Sequence, residues 1–267
     1  MDMQATPPIE LRRFSDRIGF VTLTRKEVRR FMAVLGQTVT APVITALLYL
    51  LVFAQAMAGR ASAYPGVSYT EFLVPGLVMM AVIQNAFANS ASSLIQSKVM
   101  GNLVFLMMAP LGPLEWFGAY VAAALLRATL VAAAMLAVVT PFVHLPVRAP
   151  LALFAMFLLA GGSLAVLGII AGIVSQKFDH IAAFTNFFIM PLSFLSGVFY
   201  SVHSLPPLWF HASRFNPFFY MIDGFRYGFF GQSDVSILAS LLWSAGFLVA
   251  VSAVCLWMLA SGYKLRR

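Results

Sequence analysis

Six long apolar stretches, each closed by a short polar or Pro/Gly-bearing break, run along the chain at 37–57, 72–96, 116–139, 150–174, 182–200 and 237–259. Crossing about 30 Å of hydrocarbon takes about 20 helical residues, which these stretches supply. Lipid offers the backbone no partner, so each span must satisfy its own N–H and C=O groups as a helix. Ahead of them, Leu11, Phe14, Ile18, Val21, Val28, Met32 and Leu35 recur at steps of three, four or seven, with basic residues between. That is the pattern of an amphipathic helix suited to the inner headgroup layer. Thr24-x-x-Glu27 fits a capping box and predicts a fresh helix near Arg25. The expected fold is an all-α membrane protein with six transmembrane helices. Its parts are a cytoplasmic arm over 1–36 and a transmembrane domain over 37–267.

Between the fifth and sixth stretches the pattern changes. Residues 201–234 are too apolar for an ordinary loop and too interrupted for a span, being broken by Pro206, Pro207 and Asn216-Pro217. Pro206-Pro207 predicts a short helix reaching about Arg214. Asn216 as N-cap with Pro217 in the first turn predicts a second. On the second helix Phe218, Met221, Ile222, Phe225 and Phe229 share one face, and Asp223 and Arg226 stand one turn apart, where they can pair. Both helices are expected in the outer interface. His203 and His211 have no Cys or paired carboxylate in a ligand spacing, so no metal is expected.

Polar residues inside the spans are few and placed. Gln84, Asn85, Asn89, Ser90, Ser92, Ser93 and Gln96 crowd the second half of the second span. Asn85, Asn89 and Ser93 are four apart and share a face, with Ser92 and Gln96 beside it. Such a face must meet protein or water, so it is either interhelical glue or the lining of a translocation path. Arg127 lies well inside the third span, able to meet an anionic substrate group, the amides of the second span or the inner interface. The fourth span carries Gly168-x-x-x-Gly172, a small-residue spacing for close packing. Pro75 and Pro191 predict local kinks.

Charge orients the spans. The chain has 267 residues, 10% of them charged, and a net charge of +8. With the N-terminus inside, the inner segments hold twelve Lys and Arg and the outer ones four, which places both termini in the cytoplasm. The basic balance therefore reads as topology and lipid contact, and nucleic acid is not an expected partner. The first apolar run follows a polar arm of 36 residues, unlike a cleaved signal peptide. Cys255 is the only cysteine, so no intrachain disulfide can form.

Several chemistries are missing. No G-x-x-x-x-G-K-[ST], H-E-x-x-H, C-x-x-C or G-x-S-x-G occurs. None of the nine Asp and Glu sits at the centre of a predicted span, where a proton-coupled carrier usually keeps one. No cofactor and no catalytic residue is expected in the chain. A secondary carrier or channel without an ATPase, and a structural membrane assembly protein, are the rival readings to a transport subunit.

The stretches "YTEFLVPGLVMM" at 69–80 and "PLSFLSGVFY" at 191–200, then "LPP", "FNPFFYMIDGFRYG" and "GQSDV", together resemble the permease subunit of type 2 ABC exporters. The stretches look very like the YadH-type subgroup and are more loosely similar to NodJ and to polysaccharide- and drug-exporting permeases. The resemblance covers nearly the whole chain. It implies a bacterial inner-membrane subunit that pairs with a second copy of itself and with two separate ATPase subunits, which bind ATP and Mg. It implies export of an amphipathic, lipid-linked, glycan or drug-like substrate past Asn85, Asn89, Ser92, Ser93, Gln96 and Arg127. It also implies an ATPase-coupling surface. The inner loop with Lys98, Gly101, Asn102 and Pro110 would contribute to it, with Thr24, Glu27 and Arg30 of the arm and residues 175–180. Asn102, Leu103 and Val104 stand where acidic residues usually follow the glycine. The segment with Pro206, Asn216, Pro217, Asp223 and Arg226 would cap the outer end of the path.

Overall fold

The computed structural model describes residues 16–56 and 64–265 and contains helices and loops, with no strand among the described residues. The predicted positions Leu11 and Phe14 lie outside them. The helices in chain order are α1 (Asp16–Met32), α2 (Leu35–Ala56), α3 (Tyr69–Val99), α4 (Leu103–Met108), α5 (Pro113–Val139) and α6 (Pro150–Val174). Then come α7 (Phe178–Phe184), α8 (Met190–Phe194), α9 (Pro207–Phe215), α10 (Pro217–Phe230) and α11 (Ile237–Ser261). Five of them, α2, α3, α5, α6 and α11, are long and apolar enough to cross a membrane.

The expected fifth span is the exception. In place of one helix over 182–200 there is a composite of α7, a π-helical turn at Thr185–Ile189 and α8. It ends at Phe194, and the chain turns at 195–197 and bends through 198–200. Its 17 residues from 178 to 194 rise about 25 Å, short of a 30 Å core. The π turn ends where Met190 N donates to Thr185 O. Pro191 follows and has no N–H to continue the α-helical ladder. At Pro75, by contrast, α3 runs on as one helix from Tyr69 to Val99.

Helix α3 is the centre of the bundle. Of its 31 residues 22 are buried, with α6 and α5 against it as main neighbours. The glycines of α6 allow this approach: a Cβ on Gly168 would lie 2.4 Å from Phe87 O, and one on Gly172 would lie 2.6 Å from Leu94 Cβ. The small-residue spacing thus packs one helix on another within the chain. Ser68 caps α3 with a complete capping box to Glu71.

The helix expected near Arg25 does not start there. Helix α1 is continuous from Asp16, and Thr24 Oγ1 donates back to Phe20 O at 2.8 Å, a mid-helix bond that leaves no cap to make. Ile18, Val21 and Met32 of the predicted apolar stripe are exposed. A different face, Leu23, Glu27 and Phe31 at steps of four, is buried against the bundle. The arm is therefore packed on the transmembrane helices, chiefly α5, with its apolar stripe left free for lipid.

Candidate functional site: a polar seam between two ends of the bundle

The seam lies where α1, α3 and α5 meet. Glu27 is fully buried and accepts from Arg30 Nε at 3.1 Å and Lys26 Nζ at 3.0 Å. Arg30 then reaches α3. Its Nη2 donates to Asn89 O at 2.8 Å and Asn89 Oδ1 at 3.1 Å, and its Nη1 donates to Ser92 Oγ at 3.3 Å. One turn along α3, Asn85 Oδ1 accepts from Arg127 Nη2 at 3.2 Å, while Asn85 Nδ2 donates to Ala81 O. Two sets of residues that the sequence assigned to separate tasks, Glu27 with Arg30 and the amide face of α3, are one connected cluster. Thr24 stays outside it, bonded within its own helix.

The seam is not an open channel in this conformation. Asn85, Asn89 and Ser93 are buried, whereas Gln84, Ser92, Gln96 and Arg127 are half-buried along its edge. Asn89 Nδ2 and Arg127 Nε are buried and meet no hydrogen-bond partner among the described residues. Arginine's planar fork makes several bonds at once, so Arg30 both locks α1 to α3 and consumes the acceptors nearest it.

At one end of the bundle α3 runs into α4. Gly101 takes a left-handed φ of +73° and turns the chain between them. Asn102 sits at the N-cap of α4 without a side-chain cap bond, and Pro110 is exposed in the link to α5. Lys98 Nζ donates to Ile173 O and, at 3.1 Å, to Ser175 O, so it caps the carbonyl end of α6. Leu103 is buried with Leu23, Trp116 and Leu265, while Val99, Met100, Val104, Phe105 and Met108 are exposed.

At the other end, α9 and α10 follow the predicted boundaries but differ in setting. Pro206 is the N-cap of α9 and Pro207 its first residue. Asn216 Oδ1 accepts from Phe218 N, as a capping Asn should. Helix α9 exposes Leu208, Trp209 and Phe215, as an interfacial helix would. Helix α10 does not lie in the interface: 12 of its 14 residues are buried against α6, α11 and α3. The expected Asp223–Arg226 ion pair is absent, because each charge is engaged elsewhere. Asp223 accepts from Asp234 N at 2.7 Å, Val235 N at 3.2 Å and Tyr64 OH at 3.3 Å. Arg226 Nη2 donates to Gly197 O at 3.0 Å. Burial pushes the Asp223 carboxyl up to about 6, outweighing the two backbone N–H groups that favour its charged form. Asp234, which the sequence reading missed, accepts from Ser201 Oγ and Val202 N, both at 2.8 Å. The short "GQSDV" stretch was its only sequence signal.

A bundle of α-helices, five of them long and apolar enough to cross a membrane, with a polar seam among them, defines a polytopic membrane protein. The chain belongs to the ABC-2 type transporter family, whose model matches residues 19–230. It is 35% identical over 249 residues to the inner membrane transport permease YadH of Escherichia coli K12, covering 93% of this chain and 97% of that protein. The protein of the same name from Shigella flexneri matches equally. The sequence resemblance to the family and to its YadH-like members thus holds.

Proposed function

We propose that this permease is the membrane half of an ATP-driven exporter of the inner membrane, working as two copies with two separate ATPase subunits that bind ATP and Mg. The observation that carries the reading is the surface of α4. Helix α3 has 31 residues, roughly 46 Å, which is more than a 30 Å hydrocarbon core needs. Beyond its end α4 carries Phe105 and Met108, 73% and 77% exposed, and Val104 of α4 lines one groove with Lys98 and Lys264. An apolar helix displayed among basic residues fits a protein partner. The basic residues support a cytoplasmic position for this end and for both termini, with the short α7–α8 composite as the crossing that such a topology needs.

In this reading ATP-driven closure of the ATPase pair presses on α4 and the start of α5. Helix α1 packs on that part of α5 and holds the seam through Arg30, so the movement reaches Asn89 and Ser92. Substrate moves along the half-open edge with Ser92, Gln96 and Arg127, and α9–α10 close the outer end.

The test is to purify the tagged chain in mild detergent from its native membrane. A stoichiometric P-loop ATPase is expected with the wild type and is expected to be lost with Phe105→Asp. A chain repeatedly recovered intact and alone would favour a carrier or a structural role. The path itself is tested by Asn85→Leu with Asn89→Leu, which should impair transport and spare assembly. Full transport would leave the seam as glue.

A further inference from the structure

The charges along the seam do not balance evenly. Among the described residues Glu27 is the carboxylate ion-paired there, and it is taken up by Arg30 and Lys26. Arg30 has four acceptor contacts in all, counting Glu27, the Asn89 carbonyl and amide oxygens, and Ser92. Among the described residues Arg127 has one bond, to a neutral amide at 3.2 Å, and its buried Nε–H is unmatched. Asn89 Nδ2, equally buried and unmatched, is a second free donor on the same seam. Arg127 is the fifteenth of the 27 residues of α5, at the middle of the helix. It sits at the border between the packed side and the side that exposes Leu126 and Leu130 to lipid.

We propose that Arg127 holds the anionic group, phosphate or carboxylate, of an amphipathic substrate whose apolar part lies along the lipid-exposed side of α5. This rests on the seam being the path. A substrate with a charged headgroup must take that charge through the hydrocarbon centre, where an isolated ion is poorly tolerated. A half-buried guanidinium at that depth, next to the lipid-facing side of α5 and with no carboxylate bonded to it among the described residues, neutralises it. Arginine's fork also suits the two oxygens of a phosphodiester or carboxylate. Arg30 is not the anchor, because its own carboxylate already occupies it.

The purified full chain, titrated separately with phosphatidylglycerol, oleate and phosphatidylcholine under native mass spectrometry, tests this. At least one anionic lipid should bind about tenfold more tightly than phosphatidylcholine, a difference of about 1.4 kcal/mol. Arg127→Gln should remove the preference and Arg127→Lys should keep part of it. Arg214→Gln, on exposed α9, should leave it intact. Competition by inorganic phosphate would support the anion site and assign it to a free anion, whereas no competition assigns it to the lipid headgroup. Equal binding of all three lipids by the wild type, or an undiminished preference in Arg127→Gln, overturns the inference. That failure is separable from failure of the path. If Asn85→Leu with Asn89→Leu still blocks transport, the path stands and only the anion is removed.

Discussion

The Arg226 guanidinium carbon lies 3.7 Å from the centre of the Phe72 ring, with the arginine 1% and the phenylalanine 0% exposed. An arginine without a carboxylate is thus held inside the protein by an aromatic face and backbone carbonyls. Replacing it with Met keeps the length and loses the charge, which leaves Gly197 O without its donor. Arg226→Met should lower stability by about 2–3 kcal/mol. The check is a lower thermal midpoint in detergent, with faster proteolysis at residues 195–202.

Glu27 and Arg30 should be strongly coupled. Removing Glu27 leaves Arg30 without its carboxylate, and removing Arg30 leaves buried Glu27 with Lys26 alone, each at a cost of about 3 kcal/mol. The double variant Glu27→Gln, Arg30→Met should be less destabilised than the sum of the singles. A double-mutant cycle of unfolding midpoints measures it, and additive singles would show the pair to be independent.

The glycines of α6 separate cleanly. Gly168→Leu drives a side chain into the α3 backbone at Phe87 and should prevent stable folding, seen as loss of monodisperse protein. Gly162→Ala meets Leu248 at 3.7 Å, an ordinary contact, and should change stability by less than about 1 kcal/mol.

Asp223 gives a pH dependence with a definite sign. Its carboxyl is raised from 3.8 to about 6 by burial, so the folded state binds the proton more tightly than the unfolded chain. The resulting stability is fully present below the unfolded value and is lost as pH rises through about 6. The wild-type midpoint should therefore fall between pH 5 and pH 7 more than that of Asp223→Asn. Parallel curves for the two proteins would disprove the assignment.

Lys98→Met removes the cation from the carbonyl end of α6 and should cost about 1–2 kcal/mol. Hydrogen exchange should quicken at residues 172–176 and stay unchanged at the far end of α6.

What the sequence made legible was what lipid dictates. Helix starts such as Asn216-Pro217 and the 150–174 span were readable because caps and apolar length are local. The α6 glycines were readable because close packing needs small residues. The engagements of Asp223 and Arg226 were not readable, since a one-turn spacing says that two charges can meet and nothing about stronger partners on other segments. Nor was the buried face of α1. Leu23, Glu27 and Phe31 do stand at steps of four, but the exposed Ile18, Val21 and Met32 form an equally regular stripe. Only the bundle decides which one it covers. The break at Thr185–Ile189 had a signal in Pro191, but its form as a π turn depends on which carbonyl Met190 reaches.

The burial of α10 sets an order of assembly. A 14-residue helix is too short to be held by the bilayer as a span, and its Asp223 and Arg226 resist entering lipid alone. It can settle only once α3 and α6 have already come together to form its berth. Helix α11, which follows α10 in the chain, must thread the membrane while α10 still waits at the surface. Docking of α10 is thereby a step distinct from the insertion of the long helices, and a chain stopped short of it would be inserted and yet unfinished.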